Sequence, residues 1–387
     1  MQAADGPLRD VRVVDMASVI AGPGTARYFA DFGAQVVKVE RPGGDSTRSM
    51  GWTEPEESRS LYWKLVNRGK RSVVLDLKHE PDRDVLLALA AEAHLLVENM
   101  RPGKLEALGL GPEELWAVNP ALVILRVSGF GQDGPYAKRP AFATIVEAMS
   151  GYAQLTGEPD GAPLLPPVAL ADEVTAIVGA FASMLALRHA ERTGTGQVVD
   201  VSLLESMMSL MGPLPAVWAQ LGERQPRLGS GIPFAIPRGT YQCSDGKWVA
   251  LSAAAESVAQ RVLRLIGHSG DARFSDFQAR FRNRAELEKL VADWIAQRPA
   301  DQVVDEFTRA DAAITTVYDM AELSRDPQVA ARRSLAEIDG VTMQAPIARL
   351  SKTPGRIRAV GPYLDAHRTQ ILAELGRDDG LTGTEAT

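Results

Sequence analysis

Asp172 is the residue of this sequence best placed for chemistry, because it stands at the start of a long apolar stretch. Apolar residues recur beyond it at helical spacing and predict a core-packed helix of about four to five turns, with Val174, Ile177, Val178, Phe181 and Leu185 in its buried stripe. The helix dipole and unpaired backbone N–H groups would hold such an aspartate ionised, at a position that also favours an anionic substrate. The alternative is that Asp172 only caps its helix.

A carboxylate can act as a nucleophile toward an activated acyl group. Its attack gives an acid anhydride and divides one difficult acyl transfer into easier steps. Glycine-rich loops suit this chemistry, because their backbone N–H groups can approach a developing oxyanion and a closing loop excludes water. The segment Leu228–Pro233 (LGSGIP) is of this kind.

Other familiar catalytic signatures are missing from the sequence. There is no G-x-S-x-G, H-E-x-x-H or P-loop motif, and the single cysteine, Cys243, leaves no pair for a disulfide or a structural zinc site. We therefore predict no metal site. None of the histidines has a triad-like context, so we interpret all five as structural or solvated: His79, His94, His189, His268 and His367.

The first half of the chain predicts a parallel sheet with helices on both faces, and in such sheets ligands bind beyond the carboxyl ends of the strands. The loop Ala21–Gly24 would lead into a helix at this end of the sheet. Arg27 stands where a dinucleotide-binding motif has its third glycine, so the loop is only a weak signal of NAD binding. The predicted helices are Thr25–Asp31, Asp82–Glu92 and Pro112–Val118, and the strands are Val11–Asp15, Gln35–Glu40, Val73–Leu77, His94–Glu98 and Leu122–Val127.

Cations concentrate near the predicted ligand-binding end of the sheet. Glycine- and proline-rich loops at Asn99–Lys104 and Ser128–Arg139 carry some of them. We interpret the bias as a site for a phosphorylated cofactor, the alternative being a solvated charged face. Residues 38–71 hold eight cations against five acids: Lys38, Arg41, Arg48, Arg59, Lys64, Arg68, Lys70 and Arg71.

Length and composition favour a globular protein of two domains. The chain has 387 residues, of which 45% are apolar and 24% charged, and its net charge of -7 argues against nucleic acid as a partner. The N-terminus has no apolar h-region, and no later stretch comes near the roughly 18 uncharged apolar residues that a membrane span needs. We therefore predict no membrane association. The lone cysteine fits a cytoplasmic location.

The second half of the chain changes pattern and predicts a smaller α+β domain over residues 229–325. Its marks are a hairpin at Arg238–Ser252, with Asp245 and Gly246 at the turn, followed by helical patterns. A single helix is predicted from Glu205 to about Gln220. The predicted large domain covers 1–205 and 345–387, with linkers at 206–228 and 326–344.

Several long motifs, in the right order, resemble the family III (CaiB/BaiF) CoA-transferases. The likeness covers nearly the whole chain. The motifs are DMASVIAGPGTARYFADFGAQVVKVERPGGDSTR from Asp15, NRGKRSVVLDLK from Asn67, VENMRPGKLEALGL from Val97, SGFGQDGPYAKRPAFATIVEAMSG from Ser128, ADEVTAIVGA from Ala171 and RTGTGQVVDVSLLE from Arg192.

The resemblance implies an α/β fold with a Rossmann-like large domain built from both chain ends, in an interlocked homodimer. It implies transfer of coenzyme A from an acyl-CoA donor to a carboxylic acid acceptor, with CoA as substrate and no permanently bound cofactor. Asp172 matches the family's nucleophile, which forms a mixed anhydride and then an aspartyl-CoA thioester.

The resemblance also assigns binding residues by position. The loop Gly229, Ser230 and Gly231 matches the mobile glycine loop that covers the intermediate. The matches to the CoA site are Val19, Ile20 and Ala21 as lining, Arg41 near the phosphates or adenine, Leu75, Lys78, Asn99, Met100 and Arg101 at the nucleotide, and Lys138 or Arg139 at the CoA.

Departures from the family pattern bear on the substrate. The glycine run at 229–231 is shorter than in oxalate-specific members, and Ile20 replaces their glutamine, which disfavours oxalate as acceptor. Ile232 stands where the family often has a histidine.

An α-methylacyl-CoA racemase is the first alternative function. Racemisation needs two titrating groups at the α-carbon, and Phe142 occupies the place of the racemase histidine. A non-catalytic CoA-binding protein is the second.

Overall fold

The computed structural model describes residues 6–377, so the outermost parts of the predicted large domain, 1–5 and 378–387, lie outside this range. The described residues form two compact units. The first unit covers 6–151, 166–212 and 328–377, and the second covers 152–165 and 213–327. Both ends of the described chain therefore belong to the first unit.

Helices and strands alternate through the first half of the chain. In chain order the elements are β1 (Arg12–Asp15), α1 (Ala21–Asp31), β2 (Gln35–Glu40), α2 (Leu61–Val66), β3 (Lys70–Val74), α3 (Glu80–Glu92), β4 (Leu95–Glu98), α4 (Lys104–Ala107), α5 (Pro112–Val118), β5 (Val123–Ser128), α6 (Ala143–Met149) and α7 (Tyr152–Leu155).

The second half is richer in helix. Its elements are α8 (Leu170–Thr193), β6 (Val198–Ser202), α9 (Leu203–Ser209), α10 (Leu214–Leu221), β7 (Arg238–Gln242), β8 (Trp248–Ser252), α11 (Glu256–Leu265), α12 (Phe277–Arg282), α13 (Arg284–Ile295), α14 (Ala300–Arg309), β9 (Ile314–Thr316), α15 (Met320–Arg325), α16 (Pro327–Ala331), β10 (Leu335–Ile338), β11 (Val341–Gln344) and α17 (Arg368–Glu374).

Six parallel strands form the sheet of the first unit, in the order β3-β2-β1-β4-β5-β6. The predicted α/β architecture with a parallel sheet is confirmed. β4 is central and wholly apolar in its first three residues, Leu95 to Val97, all of them buried, as expected when helices cover both faces. The strand order reverses between β1 and β4, and ligands bind at this switch point in doubly wound sheets.

Two predicted boundaries near this switch point were wrong. Residues Ala21–Gly24 form the first turn of α1 and not a loop, because glycine permits close packing there: a Cβ on Gly22 would lie 2.3 Å from Ala17 Cβ. β3 begins at Lys70 and not at Val73, because the Lys70 ammonium is satisfied inside the fold by Asp15 at 2.8 Å.

Helix α8, which carries Asp172, is longer than predicted and turns its other side to the core. The predicted core residues Ile177, Phe181 and Leu185 are 47%, 66% and 58% exposed. Close contact with α1 explains this: a Cβ on Gly179 would lie 2.7 Å from Thr25 Oγ1, so only small side chains fit between the helices. The buried residues of α8 are accordingly mostly small: Ala171, Thr175, Ala176, Gly179, Ser183, Ala186, Leu187 and Ala190.

Helix α8 also meets the length and composition of a membrane-spanning helix, with a mean hydropathy of 1.6 over 18 residues. The expectation that no stretch of the chain approaches these values was therefore wrong. Core helices of soluble proteins can pass the same test, and α8 packs along α1 with Thr25 Oγ1 donating a hydrogen bond to the Ala176 carbonyl at 3.2 Å.

The second unit is an α+β unit built on an antiparallel sheet in the order β7-β8-β9. The predicted hairpin is present, and the Gly246 N–H donates to the Cys243 carbonyl within its turn. Helices α11, α13 and α14 bury apolar residues against this sheet, among them Val262, Leu287 and Phe307. The single predicted helix over 205–220 is broken into α9 and α10, because Pro213 cannot continue a helix and Gly212 adopts a φ of 54°.

The boundaries of the two units differ from the predicted ranges in three segments, one of which is the predicted linker 206–228, divided between the units after Gly212. Residues 152–165 belong to the second unit, because the Arg227 guanidinium donates to the carbonyls of Gln154, Glu158 and Gly161. Most of the predicted linker 326–344 belongs to the first unit, where β10 and β11 pair.

Candidate active site

A cavity of about 360 Å³ lies at the carboxyl ends of β1, β2 and β4, where the strand order reverses. Its lining combines apolar residues with charged residues of both signs, and Glu40 and Asp45 among the acids are paired with Arg48 and Lys38. Arg41 and Lys78 are exposed there and have no acidic partner among the described residues. Five of the predicted CoA-binding residues line this cavity: Arg41, Leu75, Lys78, Asn99 and Met100.

The turn from β1 to α1 forms one wall of the cavity and is held by several hydrogen bonds. Asn99 accepts from the Ser18 N–H at 2.8 Å and donates to the Ser18 carbonyl at 2.7 Å. Val19 has a φ of 69°, which is strained for a β-branched residue, and its N–H donates to Asp45 at 3.2 Å. The fold thus fixes this turn before any ligand binds.

The other predicted CoA contacts stand apart from the residues that line the cavity. Ile20 and Ala21 are buried at the start of α1. Arg101 is exposed beyond β4, and Lys138 and Arg139 are exposed on the loop after β5. The Arg139 guanidinium lies 5.2 Å from the centre of the Tyr136 ring, a cation–π contact.

The cationic bias of residues 38–71 is mostly structural, because seven of the eight side chains are already paired with acidic residues. Arg41 alone among the eight has no acidic partner in the described part of the chain. The other seven form ion pairs: Lys38 with Asp15 and Asp45, Arg48 with Glu40, Arg59 with Glu57, Lys64 with Glu54 and Glu57, Arg68 with Asp31, Lys70 with Asp15, and Arg71 with Glu374.

Asp172 lies in the first turn of α8 and is half-buried. It is not the N-cap, because the helix begins at Leu170 and Ala169 is the capping residue. No residue that the structure describes donates a hydrogen bond to its carboxylate or pairs with it. The capping alternative was therefore wrong, and the Asp172 side chain is left without a structural task.

The electrostatics around Asp172 oppose its charge. Burial, followed by repulsion from Glu147 and Glu173, raises the pKa of Asp172 to about 6. Burial and like-charge repulsion thus act against the ionised form that the helix terminus was expected to favour. A carboxylate with this pKa is more basic than an ordinary aspartate and is still mostly ionised at neutral pH.

Helix α1 connects the cavity to the surroundings of Asp172. Its first residue, Ala21, follows the turn that lines the cavity, and Arg27 lies about 9 Å further along the helix axis. The Arg27 guanidinium donates to Glu173 at 3.2 Å, next to Asp172 in the sequence. The end of the cavity and the first turn of α8 are thus joined by one rigid element.

Two residues of this site were missed by the sequence analysis. Glu147 on α6 is buried and accepts a hydrogen bond from the Ala171 N–H at 3.1 Å, so it caps α8 from another helix. Tyr62 on α2 is half-buried, and burial together with the Glu173 and Asp172 carboxylates raises its pKa. No local signal marks either residue, because their contacts with α8 span a large sequence separation.

The predicted glycine loop belongs to the second unit. Gly229 adopts a φ of 57°, and its N–H donates to the Gly157 carbonyl at 3.1 Å. The Ser230 hydroxyl hydrogen-bonds to the Thr240 hydroxyl at 2.9 Å. At Gly231 a Cβ would lie 1.8 Å from the Arg284 guanidinium, so a side chain there would have to displace Arg284. Within residues 6–377 no group of three or more His, Cys, Asp or Glu is arranged to hold a metal ion.

Comparison with known proteins adds to this geometry. The sequence model of CoA-transferase family III matches residues 8–368. The chain is 38% identical to the succinyl-CoA–L-malate CoA-transferase beta subunit of Chloroflexus aurantiacus, over 95% of this chain and 94% of the relative. It is 36% identical to the succinyl-CoA–D-citramalate CoA-transferase of the same organism, with the same coverage of both chains.

A solved structure supports the same likeness at the level of the fold. The crystal structure of a CaiB/BaiF family protein from Brucella suis superposes with a TM-score of 0.86 and 32% identity, covering 96% of this chain and 100% of the other.

Proposed function

Since the chain belongs to CoA-transferase family III, an enzyme family that moves CoA between acyl-CoA thioesters and carboxylates, we propose that Asp172 is its nucleophile and forms an aspartyl covalent intermediate. One observation carries this assignment. The Asp172 carboxylate is half-buried and has a raised pKa, yet it has no partner among the described residues. An unpaired carboxylate of this kind costs stability and suggests a functional use.

The proposed reaction begins when an Asp172 carboxylate oxygen attacks the carbonyl carbon of the donor thioester. The carbon–sulfur bond breaks, the CoA thiolate leaves, and a mixed anhydride remains on Asp172. The thiolate then attacks the Asp172 carbonyl carbon, which releases the donor acid as a carboxylate and leaves an aspartyl-CoA thioester. The acceptor carboxylate repeats these two steps in reverse, so that the new acyl-CoA leaves and Asp172 is free again.

The residues around Asp172 support this sequence of steps. A pKa of about 6 leaves the carboxyl group roughly 90% ionised at pH 7, while its extra basicity favours attack. Glu147 fixes the start of α8 through the Ala171 N–H, so Asp172 does not have to serve as a cap. The cavity at the switch point would hold the nucleotide of CoA, with Arg41 and Lys78 near its phosphates.

For the substrates, we propose succinyl-CoA as the CoA donor and a small dicarboxylic acid as the acceptor. The two relatives described above support this choice, since both are named as succinyl-CoA-dependent transferases acting on malate or citramalate. CoA enters as part of a substrate in this reaction. The cytoplasmic location expected from the sequence remains part of the proposal.

We also propose that the enzyme is a homodimer, as the resemblance implies. Supporting this, α8 exposes one apolar stripe formed by Ile177, Phe181, Met184 and Leu185, all on the side away from α1. Exposed apolar patches of this kind mark protein–protein contacts. Light scattering on the wild type and on Phe181→Asp tests the proposal, with a dimer expected for the first and monomer for the second.

Trapping the intermediate tests the nucleophile. The protein is incubated with succinyl-CoA, treated with hydroxylamine, and digested for mass spectrometry. We expect a hydroxamate on Asp172 in the wild type and in the matched control Glu173→Gln. Asp172→Asn should lose at least about a thousandfold in transfer rate. Retained turnover in Asp172→Asn would refute the assignment, and exchange of the α-proton with deuterium without any adduct would favour the racemase.

A further inference from the structure

Arg126 on β5 joins two acidic residues that flank one wall of the cavity at the switch point. Arg126 is 6% exposed and is not among the described residues that line this cavity. Its Nε donates to Glu98, the last residue of β4, at 2.7 Å. Its Nη1 donates to Glu106, on α4, at 2.7 Å. One buried guanidinium therefore ties the end of β4 to α4.

The chain from 99 to 108, called here the wall segment, supplies part of the cavity lining. Three of its residues line the cavity: Asn99, Met100 and Leu108. The Met100 N–H donates to Glu98 at 2.7 Å through the carboxylate oxygen that Arg126 leaves free. Glu106 lies two residues before the last residue of the wall segment, and both of its carboxylate oxygens accept from Arg126. Arg126 thus restrains the wall segment near its start and near its end.

Stability alone does not explain a charged cluster at this place. Taking a guanidinium and a carboxylate out of water costs free energy, and well-packed apolar residues often replace a buried ion pair without loss of stability. The wall segment also has an apolar anchor, because Leu105 is fully buried in the core of the first unit. Hydrogen bonds add direction to apolar packing, since a guanidinium and a carboxylate meet in a planar geometry that orients both partners. The cluster therefore suits the task of holding the wall segment in one position.

We propose that Arg126 is a positioning residue for the nucleotide of CoA, and that it holds the wall segment in the binding position through Glu98 and Glu106. The inference rests on the proposed function, because it takes the cavity at the switch point as the nucleotide site. Arg126 touches neither CoA nor the reacting atoms in this scheme. Its loss should weaken binding of the nucleotide and leave the chemistry at Asp172 as it is.

Titration of coenzyme A by calorimetry tests the inference separately from catalysis. Arg126→Met should weaken CoA binding about tenfold or more, and Arg126→Lys, which keeps a cation, should weaken it less. Arg68→Met is the matched control, because Arg68 is also buried, pairs with Asp31 at 2.6 Å and lies outside the cavity lining. It should lower stability and leave CoA affinity within about twofold of the wild type. Unchanged affinity in Arg126→Met, or an equal loss in Arg68→Met, overturns the proposal.

A milder substitution keeps the test decisive if Arg126→Met does not fold. The Glu106 side chain is 43% exposed, so Glu106→Gln should fold, and it removes only the ion pair between Arg126 and α4. CoA binding should weaken about two- to fivefold. Glu374→Gln is the matched control, because Glu374 is 48% exposed, pairs with Arg71 at 2.8 Å and lies outside this cavity. Equal CoA affinities in the two variants would contradict the proposal.

A substrate without the nucleotide separates positioning of the wall segment from general damage. Arg126→Met should lower kcat/KM for succinyl-CoA about tenfold or more, and should leave kcat/KM for succinyl-pantetheine within about twofold. Equal losses with both thioesters would overturn the proposal, since they would show that Arg126 only supports the fold. Failure of the proposed function has another signature, namely retained turnover in Asp172→Asn. Absence of CoA binding by the wild type would overturn both.

Discussion

Asp15 and Asp172 are two aspartates of the first unit, and the structure treats them in opposite ways. Asp15 is fully buried at the end of β1, where it accepts from Lys70 at 2.8 Å and from the Ala17 N–H at 3.1 Å and lies 3.6 Å from Lys38. Asp172 is half-buried and has neither cation nor donor within the described chain, while Glu147 and Glu173 add repulsion.

The difference shows how one residue type serves two purposes. A buried charge is tolerated when its environment satisfies it, as at Asp15, and then it contributes to a fixed geometry. A buried charge that is left unsatisfied lowers stability and keeps its reactivity, as at Asp172. Substitutions at the two sites should therefore move stability in opposite directions.

The largest effect is expected at Asp15. Asp15→Asn leaves the Lys70 ammonium buried without an opposite charge, and should lower the free energy of unfolding by about 3 to 5 kcal/mol in urea titrations. Asp10→Asn is the matched control, since Asp10 is exposed and should change stability by less than about 0.5 kcal/mol. A loss at Asp15 as small as the control's would contradict the structural role of this pair.

Asp172→Asn should instead stabilise the protein, by about 1 to 2 kcal/mol at pH 7. The folded pKa of Asp172 is about 6 and its ordinary value is 3.8, so the folded state holds the proton more tightly. The contribution of Asp172 to the free energy of unfolding of the wild type thus falls as pH rises from about 4 to about 6, and it is constant above pH 6. Urea titrations should show the gain at pH 7 and none at pH 3.5; an equal gain at both would exclude this cause.

The pH dependence of the covalent step should follow the same group. In the proposed mechanism the ionised carboxylate is the nucleophile, so single-turnover acylation from succinyl-CoA should rise tenfold per pH unit below about 6 and level off above. Stopped-flow measurement between pH 4.5 and 8 in a constant-ionic-strength buffer checks this. A plateau extending below pH 5 would show that Asp172 does not titrate as its surroundings dictate.

The smallest expected effect is a shift of the Asp172 pKa in Glu147→Gln. Glutamine can still accept the Ala171 N–H but carries no charge, so removing the repulsion should lower the Asp172 pKa by less than about one unit. The midpoint of the acylation profile should move to lower pH with little change in its plateau. Glu191→Gln, exposed near the other end of α8, should leave the midpoint unchanged.

Periodic and local features of the sequence predicted much of this fold. The strand β2 and the helix α5 were predicted at their observed residues, and the apolar runs gave the parallel sheet. The prediction of which face of α8 is buried was wrong for a physical reason: periodicity finds an apolar stripe but does not show which side of the helix packs against a neighbour. Contact with Thr25 decided that the small residues face inward.

The candidate site was predicted unevenly for a similar reason. Asp172 was found because its position in the sequence reveals the start of a helix. The pairing of Lys70 with Asp15, over 55 residues, leaves no local trace, so the cations of this region looked available for a ligand. Glu147 accepts a hydrogen bond from Ala171 across two helices, and this contact also leaves no local pattern in the sequence.

Helix α1 has a consequence for how the enzyme would use the distant parts of its substrate. It begins at the wall of the cavity at the switch point and carries Arg27, which pairs with Glu173, the neighbour of Asp172. In the proposed reaction, α1 would therefore link binding of the CoA nucleotide to the position of the reacting carboxylate. A shortened thioester that keeps the acyl group but lacks the nucleotide would therefore have a lower turnover rate as well as a lower affinity, because it lacks the group whose binding aligns the thioester bond.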